Sequence, residues 1–212
     1  MDPNNSSAHS DLGVVYRKQG KLEDAITEYQ QTLQIDPNYV MAHLGLGYIY
    51  HIQGKLDKAI AKCQLVIDLP FDSRFGILPS ANACLGLGHI YKRQGKLDEA
   101  LAKFRQAMRI KVDLDIAPAW VNGCQGHIYL IQDKLDNALT EFRQVIKIEP
   151  DNASGYYDLA RVYSLKNEPK LAVEFLQKAI DLDKSKIEFS KTDPDLDNIR
   201  QTPEFQQLIN SD

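Results

Sequence analysis

Several classes of protein are excluded by what this 212-residue sequence lacks. No apolar run approaches the roughly 20 residues that a membrane-spanning helix needs. The first residues also lack the charged-then-apolar pattern of a signal peptide. The net charge is −4, so no overall positive field would attract nucleic acid or an anionic membrane. We therefore expect no membrane and no nucleic acid among the partners.

Cysteine is scarce and dispersed along the chain. Cys63, Cys84 and Cys124 form no close pair such as CxxC. An odd, scattered set is typical of free thiols in a reducing compartment, so we expect a cytoplasmic protein. We predict that Cys63 and Cys84 are buried and that Cys124 is the most accessible thiol.

The motifs that carry enzyme chemistry are also missing. The sequence contains no phosphate-binding glycine-rich loop, no HExxH and no GxSxG. His51, His89 and His127 fall on one face of the helices predicted below, but no sequence-adjacent pair of metal ligands accompanies them. We therefore predict a protein that is not an enzyme and that needs no cofactor and no metal.

The sequence instead contains an internal repeat. A small residue followed three positions later by tyrosine occurs five times, beginning at Gly13, Gly47, Gly88, Gly126 and Ala160. Successive copies lie 34, 41, 38 and 34 residues apart, and an alanine follows 12 residues after the start of every copy. Five matched copies predict five equivalent structural units.

Each unit has the pattern of two helices joined by a tight turn. Leu12, Gly13 and Tyr16 lie on one stripe of a first helix, and Ala25 and Tyr29 lie on the facing stripe of a second. Small residues at facing positions let the two helix axes approach closely. The turn falls on residue types that tolerate a left-handed backbone, namely Gly20, Gly54, Gly95, Asp133 and Asn167.

At these residues the chain resembles the tetratricopeptide repeat family, whose pattern is Leu-Gly-x-x-Tyr, then Ala-x-x-x-Phe, then Pro. The resemblance implies an all-α, right-handed superhelical solenoid of antiparallel helix pairs. We predict five repeats, at residues 6–39, 40–80, 81–118, 119–152 and 153–184. Residues 185–212 break the period, and we predict two short capping helices there, near Leu196–Arg200 and Pro203–Ile209.

The N-terminal end does not have the pattern of a cap. Residues 2–4 and residues 36–38 are both Asp-Pro-Asn, at the same spacing from the repeat that follows. We interpret residues 1–5 as the trace of a preceding repeat, which would make the chain a piece of a longer protein.

Two linkers are longer than the 34-residue period allows, by seven residues at 69–79 and by four at 111–118. The surplus could lengthen the adjoining helices, because surface connections tolerate insertions well. It could instead form a contact loop at 69–79, since Phe71, Phe75, Ile77 and Leu78 are costly to expose.

The resemblance implies that the first helix of each repeat lines a concave groove. Positions 2, 5, 9 and 12 of each repeat form a stripe turned about 100° from the buried one. The stripe contains no acidic residue, although the chain has 29 acids and 25 bases. Aromatic, Met and Arg side chains are frequent interface anchors. The residues that we predict to bind a peptide are Arg17, Met41, Leu44, Tyr48, His51, Asn82, Leu85, His89, Lys92, Trp120, His127, Tyr157 and Arg161.

We therefore predict a scaffold that binds a protein or peptide with apolar anchors and some negative charge. The alternative for this stripe is that its side chains only pack against neighbouring repeats. Some family members clamp a chaperone's C-terminal carboxylate, but the residues of that clamp are absent here, so we expect no such adaptor. Two other functions stay open: self-association as a homodimer, and service as the recognition domain of a larger multidomain protein.

Overall fold

The computed structural model describes residues 5–70, 72, 74–75, 77–112 and 118–210. Within these residues the fold is all-α, with twelve α-helices and one short 3-10 turn. The chain divides into two compact units, residues 1–115 and residues 116–212. None of the helices in the described ranges has the length and apolar character needed to cross a bilayer.

The first unit contains three helix pairs. They are α1 (Ser6–Lys18) with α2 (Leu22–Ile35), α3 (Val40–Ile52) with α4 (Leu56–Asp68), and α5 (Leu78–Arg93) with α6 (Leu97–Val112). Helix α2 packs on α3 and α4 packs on α5, so the pairs stack in chain order. The first helices also contact one another, α1 with α3 and α3 with α5. These three helices therefore form one side of the unit.

The second unit contains two helix pairs and a C-terminal segment. The pairs are α7 (Pro118–Ile131) with α8 (Leu135–Ile148), and α9 (Ala153–Leu165) with α10 (Pro169–Leu182). The C-terminal segment, residues 185–210, comprises α11 (Ser185–Thr192), a 3-10 turn (Pro194–Leu196) and α12 (Pro203–Asn210). Helices α11 and α12 pack on α10, and the 3-10 turn packs on α9.

Every helix pair turns at a residue with a left-handed backbone, which confirms the prediction for these turns. The φ angles are +78°, +70° and +74° at Gly20, Gly54 and Gly95, and +56° and +57° at Asp133 and Asn167. The amide that follows each of these residues donates to the carbonyl of the repeat's tyrosine, at 2.9 Å in all five pairs. This closure is the Schellman bond of a helix C-terminus. It explains why the tyrosine and the turn residue keep a constant spacing.

The small residue of the repeat is required because an aromatic ring of the second helix lies against it. A methyl group added at these glycines would approach a ring carbon far more closely than side chains tolerate. The pairs are Gly13 with Tyr29 at 2.7 Å, Gly88 with Phe104 at 2.6 Å and Gly126 with Phe142 at 2.5 Å. All three rings are buried, so each glycine–ring contact joins the two helices of its repeat.

The cysteines lie in the core. Cys63 takes the place of the ring in the second pair, where its Sγ would lie 3.5 Å from a Cβ at Gly47. Burial raises the pKa of Cys63 to about 11 and also raises the pKa of Cys84, so both are inert thiols at neutral pH. The prediction for Cys124 is wrong, because this residue is only 1% exposed. It lies one helical turn before the buried Ile128, so both side chains face the core.

The surplus residues of the first linker are divided between a longer helix and a loop. Helix α5 begins at Leu78, three residues before the predicted repeat start. In the loop, the ring of Phe75 meets Tyr39 edge-on at 5.1 Å, and Arg74 lies over both rings. Arg74 also binds Asp36 at 3.0 Å and Asp72 at 2.6 Å. Arg74 and Phe75 are thereby held against the turn between α2 and α3. Phe71 of this linker and residues 113–117 of the second linker lie outside the described residues.

The C-terminal segment differs from the prediction in its first helix. That helix is α11, whereas Leu196 ends the 3-10 turn and residues 197–200 form the turn that follows it. Pro194 separates the two elements, because proline has no amide proton and disfavours a helical residue before it. The second helix begins at Pro203, as predicted. Four residues of the segment enter one core cluster with Leu176 of α10, namely Leu196, Ile199, Phe205 and Leu208.

Candidate functional site

Nine of the predicted binding residues lie on α1, α3 and α5 of the first unit. Eight of the nine reach the surface at least in part, and the ninth, His51, is only 7% exposed. We call this set the α1–α3–α5 face. Its members are Arg17, Met41, Leu44, Tyr48, His51, Asn82, Leu85, His89 and Lys92.

A cation–π contact lies at the junction of the first two repeats on this face. The guanidinium carbon of Arg17 is 4.7 Å from the centroid of the Tyr48 ring, within the range of an attractive contact. Arg17 also forms a hydrogen bond with Tyr29, where burial raises the pKa of the phenol and Arg17 offsets part of that rise. Arg17 is therefore positioned from two sides, by a buried tyrosine and by a partly exposed one.

The α1–α3–α5 face has an apolar part and a basic edge. Position 12 of the three repeats, in the last turn of each first helix, is occupied by Arg17, His51 and Lys92. Arg17 and Lys92 are the partly exposed cations of this edge and also complement the helix dipole, whereas His51 is buried. Positions 2 and 5 supply the apolar side chains, which are Met41, Leu44 and Leu85. The face can therefore contact an apolar side chain and a carboxylate at the same time.

Two of the predicted histidines mainly serve packing. The ring of His89 meets Phe104 edge-on at 5.2 Å and stays partly exposed. His51 is buried, and its carbonyl accepts a hydrogen bond from Nη1 of Arg93 at 3.0 Å. The structure thus places His51 between repeats rather than on an open surface.

In the second unit, the predicted residues of α7 differ in exposure. Trp120 is partly exposed. His127 is only 4% exposed, and its ring lies 5.1 Å from that of Phe142. Its Nε2 is 3.4 Å from a carboxylate oxygen of Asp158. His127 is therefore part of a buried polar cluster and not of an open groove.

The C-terminal segment contacts every stripe position of α9. Residues from α11, from the 3-10 turn and from the turn after it take part. The contacts are Lys186 to the Ser154 hydroxyl at 3.2 Å, the Tyr157 hydroxyl to Asp193 at 3.0 Å, Arg161 to Asp195 at 2.6 Å, and Asn198 to the Ser164 carbonyl at 3.0 Å. Tyr157 and Arg161 are only 5% and 6% exposed as a result. These two predicted residues are covered by the chain's own C-terminal segment.

The charge of Arg161 is balanced inside this contact. Its guanidinium lies 2.6 Å from Asp195, 2.8 Å from Asp158 and 3.4 Å from Asp193. Burial alone would lower the pKa of Arg161, but the three carboxylates hold that pKa well above its usual value. Arg161 therefore stays charged, with its charge already neutralised from within the chain.

Sequence reasoning missed the acidic residues that cover α9. The predicted stripe contains no acid, but Asp193 and Asp195 reach it from outside the repeats. The visible signal was the alternation of acids at Asp193, Asp195 and Asp197, directly after α11. The sequence alone does not show which residues such acids contact, because the residues of α9 that bind Asp193 and Asp195 lie 36 and 34 positions earlier in the chain.

Comparison with known families gives matches in both units. A family model described as TPR repeat matches residues 15–54 and 126–167. Two models described as Tetratricopeptide repeat match residues 83–117 and residues 153–186. Together these matches cover more than half of the chain.

Solved structures with a similar fold include two bacterial proteins. One is TTC0263, described as a thermophilic TPR protein in Thermus thermophilus, with 20% identity over 84% of this chain and 91% of that chain and a TM-score of 0.57. The other is pilF of Pseudomonas aeruginosa, with 16% identity over 89% of this chain and 81% of that chain and a TM-score of 0.52. These likenesses concern the fold alone. No curated protein matches the sequence.

Proposed function

Because the chain belongs to the tetratricopeptide repeat family, we propose that it is a protein-interaction scaffold that binds a peptide or protein segment on its α1–α3–α5 face. One observation carries the proposal. The Arg17 side chain is stacked on Tyr48 at a partly exposed junction of two repeats. Arg and Tyr are among the residues that most often dominate the energy of protein interfaces.

The positioning of Arg17 supports this proposal further. Ordering a flexible side chain on binding costs free energy, and a side chain that is ordered beforehand avoids much of that cost. Tyr29 and Tyr48 hold Arg17 in the unbound chain. The apolar side chains of Met41, Leu44 and Leu85 are at least partly exposed on the same face. A partner would gain apolar burial and charged hydrogen bonds on the same surface.

The proposed site is smaller than the set predicted from the sequence. Tyr157 and Arg161 are occupied by the C-terminal segment, and His51 and His127 are buried. They act in packing or in the buried ion cluster, not in direct contact with a partner. Trp120 of the second unit is partly exposed and remains a candidate contact there.

Affinity capture with a matched pair of variants tests the proposal. Met41 on the α1–α3–α5 face and Leu65 on α4 have similar exposure, 36% and 39%. Both are exposed helix positions, but only Met41→Asp places a negative charge in the proposed site. We expect the wild-type chain and Leu65→Asp to retain the same protein from a source lysate and Met41→Asp to lose it.

Two controls make the result interpretable. Circular dichroism must show that both variants keep the helicity of the wild type. Tyr48→Ala, which removes the ring under Arg17, is expected to weaken capture in the same way as Met41→Asp. A partner that Met41→Asp and Tyr48→Ala retain at wild-type levels would place the binding site elsewhere on the chain.

A further inference from the structure

One stripe of the first helices α3 and α5 packs against the second helix of the preceding repeat. In both helices every residue of this stripe is at most 2% exposed. The stripe of α3 shares a core cluster with Ala25 and Tyr29 of α2, and that of α5 shares one with Ala59 and Cys63 of α4. Its members are Ala42, Leu46 and Ile49 in α3 and Ala83, Leu87 and Ile90 in α5.

The equivalent stripe of α1 is not covered in this way. Ala8, Leu12 and Val15 hold the same positions of the first repeat. Ala8 and Leu12 are partly exposed, and Val15 is 47% exposed although its equivalents in α3 and α5 are buried. We call these three residues the outer face of α1. This face therefore exposes apolar surface of a kind that is buried between repeats in the rest of the first unit.

The residue beside the outer face differs from its equivalents in the later repeats. In α3 this position is Gly45, where a Cβ would lie 2.3 Å from the Tyr29 ring of the preceding helix. In α1 it is Asp11, which is exposed. In α9 it is Asp158, which accepts a hydrogen bond from Arg161 three residues later, whereas α1 has an apolar residue there. The outer face of α1 therefore suits a partner other than the ring-bearing second helix of a repeat.

Two opposite charges along α1 make this surface complementary to itself. Lys18 follows Asp11 by about two helical turns, so both lie on the same side of the helix. Both residues are exposed, and Val15 lies between them. In an antiparallel second copy related by a two-fold axis near Val15, Asp11 of each copy lies opposite Lys18 of the other. Two ion pairs then flank the apolar contact.

From these features we infer that the outer face of α1 binds the same face of a second copy of this chain, in a two-fold antiparallel dimer. Burial of Leu12 and Val15 of both copies supplies the apolar contact. The pairs of Asp11 with Lys18 fix the direction of the two helices. None of these residues belongs to the α1–α3–α5 face, so the inference goes beyond the proposed function and does not depend on it.

Sedimentation equilibrium of the full chain tests this inference. The average mass should rise from one chain toward two as the concentration increases to about 0.1 mM, which detects a Kd in the micromolar range. Val15→Asp buries a carboxylate in the apolar contact and should weaken association about tenfold or more. Leu97→Asp is the matched control, because Leu97 of α6 is 45% exposed, and it should leave association unchanged. Circular dichroism must show wild-type helicity for both variants.

Charge reversal tests the antiparallel arrangement. Asp11→Lys alone and Lys18→Glu alone place like charges opposite one another, and each should weaken association about tenfold. An equimolar mixture of the two variants should associate as the wild type does, because the reversed charges are complementary again between the two chains. Variants that had merely lost their fold would not recover on mixing.

Three outcomes would overturn the inference. A chain that stays monomeric throughout this concentration range would leave the outer face of α1 to a different polypeptide. An association that Val15→Asp leaves unchanged would place the dimer contact elsewhere on the chain. A mixture of Asp11→Lys and Lys18→Glu that associates no better than either variant alone would exclude the antiparallel pairing of these two residues.

Discussion

Arg161 of α9 and Asp195 of the C-terminal segment are joined by two hydrogen bonds, of 2.9 Å from Nε and 2.6 Å from Nη2, to one carboxylate oxygen. The contact has two consequences. It neutralises, within the chain, the positive charge of Arg161, which the sequence pattern predicted would contact a partner. It also joins a non-repetitive segment to the last repeat, in addition to the apolar contacts of Leu196 and Ile199.

Removing Arg161 is expected to destabilise the fold strongly. Arg161→Met would leave the largely buried carboxylates of Asp158, Asp193 and Asp195, which are 10%, 10% and 12% exposed, without the charge that balances them. Breaking a buried ion cluster costs about 3–5 kcal/mol of unfolding free energy. Urea unfolding followed by circular dichroism would measure the loss. Lys178→Met is the control, because Lys178 pairs with Glu174 at an exposed i,i+4 position and should change stability by less than about 1 kcal/mol. Equal, small effects of the two changes would contradict this account of the C-terminal segment.

The repeat architecture could be predicted from the sequence because each of its contacts is local and occurs several times. Gly13 and Tyr29 recur as Gly88 and Phe104, at the same separation along the chain. A contact that repeats with the period is visible in a single sequence. The C-terminal contact of Arg161 occurs once and joins residues 34 positions apart, so no periodicity indicates it. Cys124 was misjudged for a related reason, since the side of α7 that it faces depends on how that helix packs.

Two glycines of α7 are expected to respond to alanine in opposite directions. A Cβ at Gly126 would lie 2.5 Å from the Phe142 ring, whereas a Cβ at Gly123 would meet nothing closer than Val145 at 4.0 Å. Gly126→Ala should therefore cost about 1–3 kcal/mol through overpacking. Gly123→Ala should stabilise the protein by about 0.5–1 kcal/mol, because alanine is the better helix former. Thermal or urea unfolding of the two variants checks the signs, and a stabilising Gly126→Ala would refute the glycine–ring contact.

The turn at Gly95 provides a test of the backbone alone. Its φ is +74°, and a Cβ added there would meet nothing within 4 Å, so any cost of substitution comes from the left-handed conformation. Gly95→Ala is expected to lower the free energy of unfolding by about 1–2 kcal/mol. Gly95→Asn should cost less, because Asn167 and Asp133 hold φ near +57° and +56° at the equivalent turns. Unfolding curves that rank asparagine below alanine would contradict this explanation.

His43 is expected to make stability depend on pH between neutrality and mild acid. The ring is only 4% exposed. Its Nε2 donates to the Pro37 carbonyl at 2.9 Å, and Nδ1 faces the Lys62 ammonium at 3.3 Å. Burial lowers the pKa of His43, the Pro37 carbonyl offsets part of that change, and Lys62 lowers the pKa further. Protonation would place a second positive charge beside Lys62, so the folded chain keeps this ring neutral.

The sign of the pH effect follows from that lowered pKa. The unfolded chain takes up a proton at His43 near its ordinary pKa of about 6.5, and the folded chain does so only at lower pH. The contribution of His43 is therefore fully present above about pH 6.5 and is lost as the pH falls toward the folded pKa, with a slope of at most about 1.4 kcal/mol per pH unit. Urea unfolding of the wild type and His43→Gln from pH 8 to pH 5 measures this difference. The two stability curves should converge as the pH falls, and parallel curves would show that the ring is protonated equally in both states.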